Sequence, residues 1–204
     1  MANNQDLRAA KVELLPSPGK IIRRLEQAIA DEAPRGFFTT PGAVIGRMLA
    51  YAELSPTDTA LEPSAGKGNI ADIIRPLVGR LLVIESHPLL QQILTFKGHM
   101  LAGSNFLDYQ GTADVILANP PFGNYNNPED LWHLYHAYKY CLNKRGRLVF
   151  VICERSFVSD DETCNRFRAW LKDVGALIDP LPPGSFLLGE RPTQVNARLV
   201  VIRK

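Results

Sequence analysis

The sequence predicts an α/β protein built on a doubly wound, mainly parallel sheet with helices on both faces. Short β-like apolar runs alternate with stretches of helical periodicity from residue 59 to the end of the chain. The run Val115-Ile116-Leu117-Ala118 reads as a short buried strand, stopped by two consecutive prolines. A second run, ending at Glu62, passes into the small-residue turn Pro63-Ser64-Ala65-Gly66.

Residues 6–35 form a polar, charge-mixed preface in which Ile21, Ile22, Leu25 and Ile29 recur at helical spacing, predicting an amphipathic helix over 20–32. Thr39-Thr40-Pro41 predicts a capping threonine followed by proline at the first helical position. Val44, Ile45, Met48, Leu49 and Ala52 continue that helix with an apolar stripe. Strands are predicted at 59–62, 81–85, 98–101, 114–118, 147–153, 175–179 and 196–203, with helices near 69–78, 87–96, 129–143 and 160–173.

With 204 residues, 46% hydrophobic and 22% charged, the chain can build one three-layer core. A formal charge of +2 neither announces nucleic-acid binding nor forbids it. Cys141, Cys153 and Cys164 lack metal-ligand spacing and fit reduced thiols, so no metal is expected and a cytoplasmic location is. The polar amino terminus does not read as a signal peptide, and no apolar run approaches membrane-span length.

Asn119-Pro120-Pro121-Phe122 is the most informative segment. Proline restricts itself and the residue before it, so Asn119 is held extended at a strand's carboxyl end, where open parallel sheets bind ligands. A rigid amide, a backbone carbonyl and an aromatic face suit capture of a flat, amino-bearing ring. Glu62-Pro63-Ser64-Ala65-Gly66-Lys67-Gly68 is neither a phosphate loop nor Gly-x-Gly-x-x-Gly. Its carboxylate and small residues suit a ligand with an amino-acid tail. Glu85, ending the second predicted strand, stands where an acid commonly holds ribose hydroxyls. Asn105-Phe106-Leu107 could set an amide and an aromatic edge against a purine.

With Phe37-Phe38-Thr39-Thr40-Pro41 preceding them, these segments resemble, in γ-type order, the DNA N(6)-adenine-specific methyltransferases of the class I S-adenosylmethionine-dependent superfamily. The resemblance covers residues 36–204 and implies a seven-stranded Rossmann-like fold with an antiparallel C-terminal strand, preceded by an N-terminal helical extension, 1–35. It implies S-adenosyl-L-methionine as cofactor, with Phe38 and Thr40 beside the methionine moiety and Glu62, Ser64 and Gly66 at its amino-acid tail. Glu85 is expected to take the ribose hydroxyls, Ser86 and Phe106 to flank the cofactor's adenine, and Asn105 to accept from its exocyclic amine. The family usually has Asp at that last position, so this bond loses its charge assistance.

The resemblance also implies catalysis by Asn119, Pro120, Pro121 and Phe122, with Asn119 and Pro121 bordering the cofactor. The Asn119 oxygen and the Pro120 carbonyl are expected to accept the two hydrogens of the adenine amine, and Phe122 to stack on the ring. Phe186 is expected to offer a second stacking face. Tyr125 lies in a turn-rich loop expected over the substrate, while His133 and His136 read as packing or hydrogen-bonding residues. DNA is the expected partner, with relaxed sequence preference or a separate specificity partner, since no target-recognition domain is expected within the chain. The same segment is compatible with an RNA adenine or guanine, or protein glutamine, methyltransferase. A degenerate methyltransferase fold kept as a binding subunit is the non-enzymatic alternative.

Overall fold

Seven strands form one sheet in the order β3-β2-β1-β4-β5-β7-β6 in the computed structural model, which describes residues 16–32, 38–123 and 126–204. They are β1 (Thr59–Glu62), β2 (Arg80–Ile84), β3 (Met100–Gly103), β4 (Ala113–Ala118), β5 (Leu142–Cys153), β6 (Leu177–Pro180) and β7 (Ala197–Arg203). The helices are α1 (Pro18–Glu32), α2 (Gly42–Ala52), α3 (Asn69–Ile74), α4 (Pro88–Phe96), α5 (Glu129–His136), α6 (Arg155–Val158) and α7 (Glu162–Asp173). Pairing is parallel from β3 through β5, and β7 runs antiparallel to both β5 and β6. Residues 1–15 and 33–37, with Asn124 and Tyr125, lie outside the described residues.

Alternation along the central strands builds a core on each face of the sheet. Val115, Leu117, Val149 and Val151 join Val44, Ile45 and Met48 of α2 on one face. Ile116, Leu148, Phe150 and Ile152 join Leu134 and Leu171, from α5 and α7, on the other. A smaller cluster of Ile29 with Leu90 and Ile93 seats the predicted N-terminal helix, α1, on α4. Among the described residues no helix is long and apolar enough to cross a membrane.

Three local expectations need correction. The helix expected over 129–143 leaves α geometry at His136 and passes through a wider turn, Ala137–Cys141, directly into β5. That strand begins at Leu142 rather than 147, because its register shifts between Ala113↔Leu142 and Val115↔Arg147. Arg145, at φ 64°, carries the irregularity. Thr39 and Thr40 do not cap α2: Pro41, at φ −65° and ψ 148°, occupies the cap position without a side-chain bond. Both threonine hydroxyls are engaged elsewhere, in the site described next.

Candidate active site

The sheet's order reverses beside β1, which lies between β2 and β4, and open α/β sheets bind ligands at such a crevice. A cavity of about 450 Å³ lies there. Of the residues expected at the site, Phe38, Thr40, Glu62, Ser64, Gly66, Glu85, Ser86, Asn105, Phe106, Asn119 and Pro121 line it. Pro120 and Phe122 are not among its lining residues, and Phe186 belongs to the core.

Asn119 directly follows β4. Its Nδ2 donates to the Thr40 hydroxyl at 3.1 Å and to the Phe38 carbonyl at 3.4 Å. With the amino end committed, Oδ1 is the end left over, and it is buried without a hydrogen-bond partner. A buried acceptor left in this state costs about 1–3 kcal/mol, which a donor on a ligand would recover. Thr39 completes the wall, its hydroxyl accepting from the Glu190 backbone N–H at 3.2 Å.

Glu62 ends β1 at 1% exposure, and its Oε2 has no partner. Burial raises this carboxyl well above its ordinary value, and the nearby Asp72 and Glu85 carboxylates add to the shift. A ligand ammonium is the group such an oxygen lacks. Gly68, at φ 92°, closes the following loop, and a Cβ there would fall 3.1 Å from Leu94 and 3.3 Å from His99. Glu85 follows β2 and fastens this loop: its carboxylate accepts from Gly66 N–H at 2.7 Å and from His87 N–H at 2.8 Å. Burial still raises its pKa, against the lowering effect of those backbone donors. Each carboxylate oxygen keeps acceptor capacity toward the cavity.

Asn105 caps the short turn Phe106–Asp108, its Oδ1 accepting from Leu107 N–H at 3.2 Å and its Nδ2 donating to Asp108 at 2.7 Å. The carbonyl assigned to a purine amine is thus already engaged locally. Phe106 is buried, with its ring 5.3 Å from that of His133 and 4.9 Å from that of His136. Phe186, expected to present a stacking face, is 1% exposed and meets Phe122 edge-on at 6.2 Å, so it braces that ring.

No family model matches this chain, and no curated relative matches it. Solved structures do. A protein described as the modification subunit of a type I restriction enzyme from Vibrio vulnificus YJ016 superposes at TM-score 0.66 and 19% identity, over 100% of this chain and 50% of that one. The type I restriction-modification system methyltransferase subunit from Streptococcus thermophilus gives 0.65 and 18%, over 84% and 46%. A dimethyladenosine transferase from Plasmodium falciparum gives 0.61 and 15%, over 82% and 63%.

The fold is the Rossmann-like methyltransferase fold.

The chain spans about half the length of the two restriction-system subunits. Within the methyltransferase fold, His133, Trp132 and Lys67 are among the cavity residues outside the sequence reading of the site. His133, on α5, places Nδ1 3.2 Å from the Ser64 hydroxyl, and burial, with His136 adding to it, pushes its pKa down to about 4. Trp132, beside it, is half exposed at the cavity edge. Lys67, in the glycine loop, pairs with Glu26 of α1 at 3.2 Å and with Glu190. Each pairing spans dozens of positions with no short-range signal, although Trp132-His133 at the start of α5 could have marked that helix as facing the loop.

Proposed function

We propose that this chain transfers a methyl group from S-adenosyl-L-methionine to the exocyclic N(6) amine of adenine in DNA. One observation carries the reading: the buried, unpartnered Asn119 oxygen, oriented by Thr40 and Phe38, at the end of β4. The residues present fit the cofactor. The orphaned Glu62 oxygen suits its ammonium, and the loop held by Glu85 leaves room for close backbone approach. The likeness to type I modification subunits and to a dimethyladenosine transferase supports adenine as the target. It also supports a separate partner that supplies sequence recognition, as does the mild net charge.

When bound, S-adenosylmethionine supplies an electrophilic methyl group. The chain's part is placement. The adenine amine is a poor nucleophile because its lone pair is delocalised into the ring. Asn119 Oδ1 accepts one of its hydrogens and the Pro120 carbonyl the other, drawing the nitrogen toward tetrahedral geometry. Such alignment draws on the roughly 7–11 kcal/mol available from orientation. Phe122 stacks on the ring, returning about 1–3 kcal/mol of the cost of unstacking the base. No general base is required, since the methylated nitrogen sheds its proton to water.

Labelled methyl transfer to DNA, total RNA and protein, run in parallel, tests this. Label in N(6)-methyladenine of DNA is the expected result. Label confined to RNA or to glutamine would overturn the DNA assignment, and none anywhere, with no cofactor binding, would favour a binding subunit.

A further inference from the structure

Phe38 lines the cavity and Phe122 stands just outside it, yet their rings face one another, 26° from parallel with centroids 6.4 Å apart. Both side chains belong to half-buried residues. Ring pairs in direct contact have centroids about 4.5–7 Å apart, so this pair is near the open end of the range. A planar ring placed between two others needs two stacking spacings, so the two phenyl rings must part to admit a base.

The two rings are also held in place from outside. The Arg191 guanidinium lies over Phe38, 6.0 Å from the ring centre, and Phe186 buttresses Phe122 edge-on at 83°. Behind the slot, the Phe38 carbonyl accepts from Asn119 Nδ2, and Phe122 follows Asn119 by three positions, so the amide is tied to both walls. Phe186 is 1% exposed and has no free face to give a base.

Resting on the activity proposed above, we infer that the target base is clasped between Phe38 and Phe122, with Phe38 rather than Phe186 as the second stacking face. The segment before α2 is then a substrate clamp, and the hydroxyls of Thr39 and Thr40 fix its backbone. Asn119 adjoins the slot through its bond to the Phe38 carbonyl, and the slot takes any planar, amino-bearing base presented single-stranded or extruded.

The test uses a single-stranded oligonucleotide carrying one 2-aminopurine, titrated with wild type, Phe38→Ala, Phe38→Tyr and Phe186→Leu, with cofactor affinity measured in parallel by calorimetry. Wild type should quench the probe. Phe38→Ala should lose the quench and weaken oligonucleotide binding roughly ten-fold, a larger loss than its effect on cofactor Kd. Phe38→Tyr should restore both, and Phe186→Leu should keep the quench. An unquenched probe on wild type overturns the slot, as does a Phe38→Ala protein that quenches normally or loses cofactor instead. Quenching without methyl transfer to an adenine oligonucleotide rejects the activity and leaves the slot standing. Transfer with an unchanged KM in Phe38→Ala rejects the slot alone.

Discussion

The Asn119 side chain donates to the Thr40 hydroxyl at 3.1 Å, joining residues 79 positions apart in the chain. The same amino group donates to the Phe38 carbonyl at 3.4 Å, and because a carbonyl can only accept, the two bonds together decide which end of the amide is left over. A freely turning amide would present its donor half the time, and a donor cannot accept an amine hydrogen.

Thr40→Val keeps the side chain's shape and removes the acceptor. Its kcat should fall roughly ten-fold, the worth of one hydrogen bond at the upper end of its range. Asn119→Ala should cost about 10²–10³-fold in kcat, on the scale of losing one transition-state hydrogen-bonding group. Cofactor Kd should stay near wild type in both, as calorimetry would show; normal methylation by Asn119→Ala would place the acceptor site elsewhere.

Glu62 costs the ligand-free protein stability as pH rises above the ordinary carboxyl range. Its folded pKa lies above the ordinary 4.5, so as pH rises past that value the unfolded chain gives up its proton first and stability falls until the folded carboxyl also ionises. Glu62→Gln should therefore melt higher than wild type at pH 7.5, the gap closing near pH 4. Wild-type cofactor binding should tighten with rising pH and release a proton, because an ammonium needs the carboxylate. Calorimetry in buffers of different ionisation enthalpy reads that proton, and an absent signal would separate Glu62 from the ammonium.

His133 acts in the opposite sense. Its imidazole stays neutral in the fold down to about pH 4, whereas the unfolded chain takes a proton near 6.5. Stability from this group is complete above pH 6.5 and is lost as pH falls toward 4, by up to about 3 kcal/mol. His133→Gln should flatten the slope of denaturation midpoint against pH in that window.

Arg147 pairs with the buried Asp58 at 2.5 Å and donates to the Glu53 carbonyl at 2.6 Å and to the Ala52 carbonyl, tying the end of α2 to β5. Arg147→Met leaves Asp58 as an uncompensated charge and should cost about 3–5 kcal/mol in urea unfolding. Adding Asp58→Asn should recover part of that loss, which a purely steric role for Arg147 would not allow.

Much of the fold was legible because its signals are local. β1 occupies its expected residues, and β4 differs by one, since an apolar run bounded by turn residues leaves little choice. The antiparallel C-terminal strand followed from the family resemblance, and it is present. What escaped was decided over distance. Thr39-Thr40-Pro41 carries every local mark of a helix cap, yet the Glu190 N–H and the Asn119 amide claim those hydroxyls. Lys144-Arg145-Gly146 lies between the expected helix end at 143 and strand start at 147, and pairing with β4 absorbs it as an irregularity within β5. Within the site, the loop, Glu85 and Asn119 converge on one cavity, whereas the burial of Phe186 depends on how residues 181–195 fold back on themselves.

Lys67 sends one ammonium to Glu26 near the start of the described chain and to Glu190 near its end. Two segments that share nothing in sequence therefore answer to a single point charge on the glycine loop. Removing that one ammonium, as in Lys67→Met, therefore releases the outer helix and the far turn from the loop at a single stroke.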